Sequence, residues 1–304
     1  MNTSRRSFLK NSSLTLMGAS LLSQRLFASA GPVESTGVQL FSVREEMKAD
    51  PLGTLRQLAA MGYKNVEHAG YGNRKFYGYT ATAFKKILGD MGMSMPSGHT
   101  VMRMEHWNTT IKDFTDEWKN TIEDAAAVGE KYVISPYLDE GVRKDYDGLI
   151  RFLDVFNKCG ELCKKSGLVF GYHNHNFEFK DSLRNKMLYD IILDHTDPAQ
   201  VVQQLDMGNM YGAGGRALDI IKRYPGRFIS MHVKDEIKTA GGEMDDGYES
   251  TILGSGLLPV KEIIDAGRKS GGTKLFIIEQ ESYQGKSPLD CAKEDLNVMK
   301  KWGY

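Results

Sequence analysis

The sequence predicts an α/β chain folded as a (β/α)8 TIM barrel, and three observations carry that expectation. Six stretches share one pattern: a helix-like tail, a glycine, a short apolar run, then histidine or acidic residues. They are MGYKNVEH, MGMSMPSGH, VGEKYVISPY, SGLVFGYHNH, YPGRFISMHVKD and SGGTKLFIIEQE. Strands and helices alternate without hairpin signals, which argues for a parallel sheet with helices outside it. The 304-residue length accommodates one α/β barrel of about 250 residues. No G-x-G-x-x-G motif follows the first strand, which counts against a dinucleotide-binding fold.

Taken in order, residues 37–43 (GVQLFSV) are apolar and suit a first buried strand. Asp50-Pro51 opens a helix that runs to Gly62, with proline in the first turn. A second strand passes through Val66 and ends at Glu67-His68, and Thr80 caps the helix TATAFKKILGDMG. The third strand is 93–98, a long amphipathic helix follows over about 108–128, and the fourth strand is 132–136. Helix 146–166 leads into strand 168–173, and helix 185–195 leads into strand 201–206. Helix 217–224 precedes strand 228–233, Pro259 opens a helix reaching Lys269, strand eight is 274–279, and Ser287-Pro288 opens the last helix.

The first thirty residues read differently. SRRSFLK at residues 4–10 is a twin-arginine export motif, followed by an apolar stretch at 14–22 and the small-residue cleavage site Ala28-Ser29-Ala30. Residues 1–30 are therefore expected to be a twin-arginine signal peptide and 31–304 a single barrel domain, exported or periplasmic. The apolar stretch is too short for a stable membrane span, and no later segment qualifies.

Lys+Arg and Asp+Glu are both 39, so no basic excess marks a nucleic-acid partner. A small molecule is the expected partner. The three cysteines, Cys159, Cys163 and Cys291, rule out a complete disulfide framework, and Cys159 and Cys163 are expected to pack in a core.

A parallel barrel gathers the carboxyl ends of its strands at one rim. There the sequence places Glu67, His99, His173, His175, Asp206, His232 and Glu279. Residues two apart on a strand share a face, which pairs His173 with His175, His232 with Lys234, and Glu279 with Glu281. Imidazole and carboxylate donors together suit Mn²⁺, Co²⁺, Zn²⁺ or Fe²⁺ better than an all-oxygen Mg²⁺ site. Such an ion, left open on one side, polarises a sugar carbonyl and stabilises the enediolate formed when the adjacent proton leaves. Trp107 and Tyr137, on rim loops, are candidates for stacking on a sugar face.

The motifs GVQLFSV, GYHNHNFEF, LDMGN, HVKD, LGSG and IIEQE, in that order, resemble the sugar phosphate isomerase/epimerase family of the xylose isomerase-like barrel superfamily. The resemblance spans residues 37–304. It implies a metal held by acids on strands five, six and eight and a histidine on strand seven, of which Asp206, His232 and Glu279 match. His173 stands where relatives carry the strand-five glutamate, so the expected metal set is His173, Asp206, His232 and Glu279, favouring Mn²⁺, Co²⁺ or Zn²⁺. The two-glutamate proton shuttle of epimerases is thereby broken, and Asn209 replaces the histidine of a familiar Asp-x-x-His. Base duty passes to His175, Glu67, Glu178 or Lys234, with His175 favoured; the alternative makes His175 the fourth ligand and His173 the base. His99, Trp107, Tyr137, Glu178 and Asn209 are the expected substrate contacts.

Two reactions follow from the resemblance: sugar isomerisation or epimerisation, and lysis or hydrolysis of 3-keto-glycosides with aglycone release. The second needs one base and one metal, and suits a protein exported among glycosides. A non-catalytic sugar-binding barrel is a remote third reading. A nuclease would need further histidines and a phosphate footprint that the neutral chain lacks. Barrels of this kind often pair, so a homodimer is also expected.

Overall fold

The computed structural model describes residues 35–244 and 246–304. The expected signal peptide, 1–30, lies outside the described residues. Eight strands form the wall: β1 (Ser35–Gln39), β2 (Asn65–His68), β3 (Ser94–His99), β4 (Tyr132–Ser135), β5 (Val169–His173), β6 (Val201–Asp206), β7 (Phe228–Val233) and β8 (Leu275–Ile278). They close in the order β1-β8-β7-β6-β5-β4-β3-β2, and every neighbouring pair is parallel. Outside lie α1 (Pro51–Met61), α2 (Ala81–Asp90), α3 (Asp116–Val128), α4 (Tyr146–Lys165), α5 (Leu188–His195), α6 (Ala217–Arg223), α7 (Val260–Ala266) and α8 (Pro288–Trp302). The expected barrel is the observed one.

Local sequence sets the helix ends. The Asp50 carboxylate accepts from the Gly53 amide at 2.9 Å, Pro51 follows, and Gly62 ends α1 at φ 109°. Ser287, Pro288 and Gly303 repeat the arrangement in α8. Each such N-cap is worth about 1 kcal/mol. The Tyr63 hydroxyl donates to the Ala292 carbonyl at 2.7 Å, tying the chain just past α1 to α8 where the ring closes.

Alternation along the strands divides the molecule into layers. On β7, Met231 and Val233 are fully buried and pack with Ile220 of α6 and Ile264 of α7. Ser230 and His232, one residue out of phase, turn into the barrel and bond to Gln204 and Glu67. Burying one such apolar side chain contributes roughly 1.5–3 kcal/mol. On the far side Trp118, Phe152, Phe156 and Phe170 form a second apolar cluster. Cys159 and Cys163 belong to it as free thiols, and Cys159 takes the Trp118 indole N–H at 3.1 Å.

Four short stretches differ from the sequence expectation. The first strand stops at Gln39, whose side chain accepts from the Phe41 amide, so 40–43 coil into a 3-10 turn. The helix expected from Asn108 begins only after Thr115. Before it, Asn108 accepts from the Thr110 and Ile111 amides and bends the chain into a hairpin, Trp107–Asn108 against Asp113–Phe114. Residues 182–187 form another hairpin, with Arg184 and Asn185 at φ 50° and 61°, so α5 starts at Leu188. Helix α7 ends at Ala266 and continues as a π-helical turn over Gly267–Gly271, where a Cβ on Gly267 would lie 2.6 Å from the Met231 sulfur. With Tyr71–Gly72 against Lys75–Phe76, and Asp235–Lys238 against Tyr248–Thr251, all four hairpins follow carboxyl ends of barrel strands. That is the rim where sites form in this architecture.

No helix among the described residues is long and apolar enough to cross a membrane.

Candidate metal centre and substrate cavity

The site is built from strand register. Asp206 pairs with His232, Gln204 with both His173 and Ser230, and Glu67 with both Gln39 and Ser97. These pairings set two tiers of side chains inside the barrel.

The lower tier centres on Glu67. Its Oε1 accepts from Gln39 Nε2 at 2.8 Å and lies 2.6 Å from His232 Nε2 and 3.2 Å from His99 Nε2. Its Oε2 accepts from Gln204 Nε2 at 2.8 Å and from the Ser97 hydroxyl. Burial opposes ionisation of this carboxyl, but His99 and His232 outweigh it and hold Glu67 well below the usual carboxylate range. A fully engaged, ionised carboxylate orients its neighbours; it has little left to offer a substrate.

The upper tier centres on His232 Nδ1. Glu279 Oε2 lies 3.0 Å away and Asp206 Oδ2 3.7 Å away. These three atoms lie within 4.8 Å of one another. Asp206 Oδ1 accepts from the Gly208 and Asn209 amides at 2.8 and 2.7 Å, while its buried Oδ2 has no hydrogen-bond partner. An anionic oxygen buried without a hydrogen bond, beside an imidazole and a second carboxylate and 3.6 Å from the Lys234 ammonium, belongs to the kind of donor set a divalent cation satisfies. His173 adds to it: Nδ1 lies 2.9 Å from Gln204 Oε1 and is thereby assigned as the donor, which leaves Nε2 as a lone pair 3.9 Å from Asp206 Oδ2. With Glu67 on its Nε2, His232 has the carboxylate backing that metal-binding histidines use. Asp206, His232 and Glu279 thus fit the implied ion, with the His173 lone pair beside them.

Charge in the upper tier is strongly coupled. Burial opposes the charged form of His232, but Glu279 and Glu67 raise its pKa well above the usual value. Burial likewise opposes Asp206 and Glu279, and Lys234 and His232 lower both. The Lys234 ammonium is fully buried, 3.0 Å from Glu279 Oε2, 2.6 Å from Glu281 Oε1 and 3.0 Å from Asn209 Oδ1. His173 and His175 go the other way. Burial pushes both down, His175 to about 4, so both are neutral imidazoles near pH 7.

Above these groups opens a cavity of about 270 Å³ whose wall includes His99, Tyr137, His173, His175, Glu279 and Glu281. Asn209 also lines it. The Nδ1 of His175 is buried without a hydrogen-bond partner, and Tyr137 packs edge-on to that ring at 6.4 Å.

The structure therefore brings His99, Tyr137, His173, His175, Asn209 and Glu279 to one cavity, with Asp206, His232 and Lys234 beside them. It does not bring Trp107 or Glu178. Trp107 lies edge-on to Phe114 at 4.9 Å, with Lys158 Nζ 5.7 Å from its ring, in a separate surface hollow. The hairpin that replaced the expected helix carries it there. Glu178 is fully buried, accepts from the His175 amide at 2.9 Å and from the Tyr172 hydroxyl, and positions the His175 backbone. Glu281 belongs to the cavity but was not among the expected site residues. Its signal was the two-residue spacing from Glu279. The engaged residues Gln39, Ser97 and Gln204 were likewise missed, although glutamine inside the apolar run VVQQLD is an audible irregularity.

Comparison with known proteins agrees with this fold. Residues 55–302 match the family described as the xylose isomerase-like TIM barrel. An inosose dehydratase of Bacillus licheniformis is 24% identical over 190 residues, covering 57% of this chain and 62% of that protein. The chain thus spans less than two thirds of the length of this curated relative. A solved sugar phosphate isomerase/epimerase of Parabacteroides distasonis is 26% identical, with a TM-score of 0.72 over 88% of this chain and 98% of that one. A probable 3-DHS dehydratase, AsbF of Bacillus anthracis, superposes with a TM-score of 0.65 over 88% of this chain and 98% of that one; at 14% identity it shows the shared fold.

Proposed function

The chain belongs to the xylose isomerase-like TIM barrel family, and from that premise we propose a divalent-metal-dependent enzyme that removes a proton beside a sugar carbonyl and completes the reaction by elimination. The observation that carries this reading is the convergence of Asp206 Oδ2, His232 Nδ1 and Glu279 Oε2 beside a cavity walled by His175. When bound there, Mn²⁺, Co²⁺ or Zn²⁺ supplies Lewis-acid polarisation of the substrate carbonyl. His173, Asp206, His232 and Glu279 would hold it.

The chain's own residues then divide the work. His175, neutral and lining the cavity, accepts the proton from the carbon next to the carbonyl. The C–H pair becomes a C=C bond and the C–O bond to the leaving group breaks. Burial raises the pKa of Glu281, which faces the cavity and in its protonated form gives the departing oxygen its proton; His175 releases the proton it took to solvent, and solvent re-protonates Glu281. Tyr137 and Asn209 position the ring. Glu67 holds His232 in place rather than acting as a base, because all its strong acceptor directions are taken.

A 3-keto-glycoside suits this machinery: its C3 carbonyl acidifies the C2 proton and the aglycone leaves from C1. The name of the inosose dehydratase relative supports elimination. The name of the Parabacteroides distasonis structure favours a second reading, isomerisation or epimerisation through the same enediolate. Export by the twin-arginine segment remains part of the proposal, since extracellular glycosides fit the first substrate class.

The test is mass spectrometry of a 3-keto-glucoside and a small ketose panel incubated in D₂O with metal-loaded protein. Aglycone release, abolished by chelation and by His232→Ala, is expected. Deuterium entering a ketose that stays intact would replace elimination with isomerase or epimerase action.

A further inference from the structure

The cavity over the metal centre does not end at its own wall. A larger groove of about 650 Å³ shares Ala69, His99 and Val101 with it and extends away over the hairpin after β2 and over α3. A single hexose ring already fits the smaller cavity, so the groove offers space that a monosaccharide leaves unused.

Its walls are built rather than draped. At the hairpin tip, Asn73 and Arg74 take left-handed φ values of 51° and 59°, which turns both side chains out of the strand ladder. Arg74 is then tied to α3. Its Nε and Nη2 donate to the Asp124 carboxylate at 3.0 and 2.8 Å, and its Nη1 donates to Asn120 Oδ1 at 3.1 Å. The Tyr71 hydroxyl donates to the same carboxylate at 2.8 Å. A wall fixed in advance lowers the ordering cost of binding.

The polar lining indicates what it takes. Asn73, Asn120, Thr100 and Thr121 present amides and hydroxyls, and Arg74 and Glu117 contribute one charge of each sign. That mixture matches neutral, densely hydroxylated matter, and offers no cationic cluster for a phosphate. A second recess on the opposite flank, joined through Phe41 and Ala69, is lined by Leu40, Met47, Pro51 and Tyr77 with Arg44 and Lys48, and carries no side-chain amide.

We propose that the groove between the 71–76 hairpin and α3 is a second sugar subsite, so that the substrate is a glycoside of at least two hydroxylated rings. The reacting ring sits by His175 and the second ring lies against Asn73, Arg74 and Asn120. This rests on the function proposed above, and under elimination the second ring is the leaving unit.

Calorimetric titration of metal-loaded protein with methyl glucoside and with a glucose disaccharide, neither oxidised and neither turned over, tests it. The disaccharide is expected to bind at least about tenfold tighter. Asn120→Ala should shrink the affinity ratio toward one, and Asn120→Phe, which fills the groove, should invert it. Equal affinity for the two sugars, unchanged in both variants, overturns the subsite and leaves the proposed chemistry standing. Failure of both sugars to bind overturns the sugar reading itself, and the subsite with it.

Discussion

Glu67 and Glu279 grip opposite nitrogens of one imidazole, at 2.6 and 3.0 Å, and share almost nothing else. Glu67 is sealed in the lower tier, with five side chains from four other strands on its two oxygens. Glu279 faces the cavity, with Lys234 and His232 beside it. The same residue type serves as a fixed brace in one place and as a ligand-type donor in the other. What separates them is the number of partners that already claim each carboxylate, and strand position alone does not reveal that number.

The contrast is sharpest when each acid is neutralised in turn. Glu279→Gln should empty the centre, measured as metal content of the purified protein, and cut turnover by about 10³-fold or more. His175→Ala should leave metal content at the wild-type level while kcat falls by about 10²–10⁴-fold, separating ligand from base; loss of metal there would instead make His175 the fourth ligand. Glu67→Gln should weaken metal affinity by about 10–100-fold and destabilise the fold by on the order of 3 kcal/mol in urea denaturation. A Glu67→Gln protein with full stability and metal but no turnover would restore Glu67 to base duty.

Glu178 gives a smaller, pH-dependent effect. Burial raises its pKa from 4.5 to about 8, so the folded state holds its proton more tightly than the unfolded chain does. Its contribution to stability is therefore complete below about pH 4.5 and fades as pH rises through about 8. Glu178→Gln should flatten that part of the stability curve. Trp107→Ala should leave KM and kcat unchanged, because the side chain lies outside the cavity; a rise in KM would return it to the substrate.

The barrel was legible because six stretches end in polar residues after a helix-like tail, a glycine and an apolar run, and because caps such as Asp50-Pro51 and Ser287-Pro288 mark helix starts by local chemistry alone. The upper tier was legible for the same reason: His173, Asp206, His232 and Glu279 stand at strand ends or just beyond them. The rim hairpins were not. Two of their turns use Asn73-Arg74 and Arg184-Asn185 at positive φ rather than an Asn-Gly pair, and residues 108–115 and 185–187 blended into the helices expected after them. The lower tier was hidden because Gln39, Ser97 and Gln204 gain meaning only from partners on other strands.

Those partners come from far along the chain. Gln39 and Ser97 reach Glu67 across 28 and 30 residues, Gln204 across 137 and His232 across 165. The carboxylate of β2 is therefore fully satisfied only when β1, β3, β6 and β7 have all come together around it. The proposed cation, held by residues of β6, β7 and the end of β8, would bind only the assembled ring and so draw the folding equilibrium toward it.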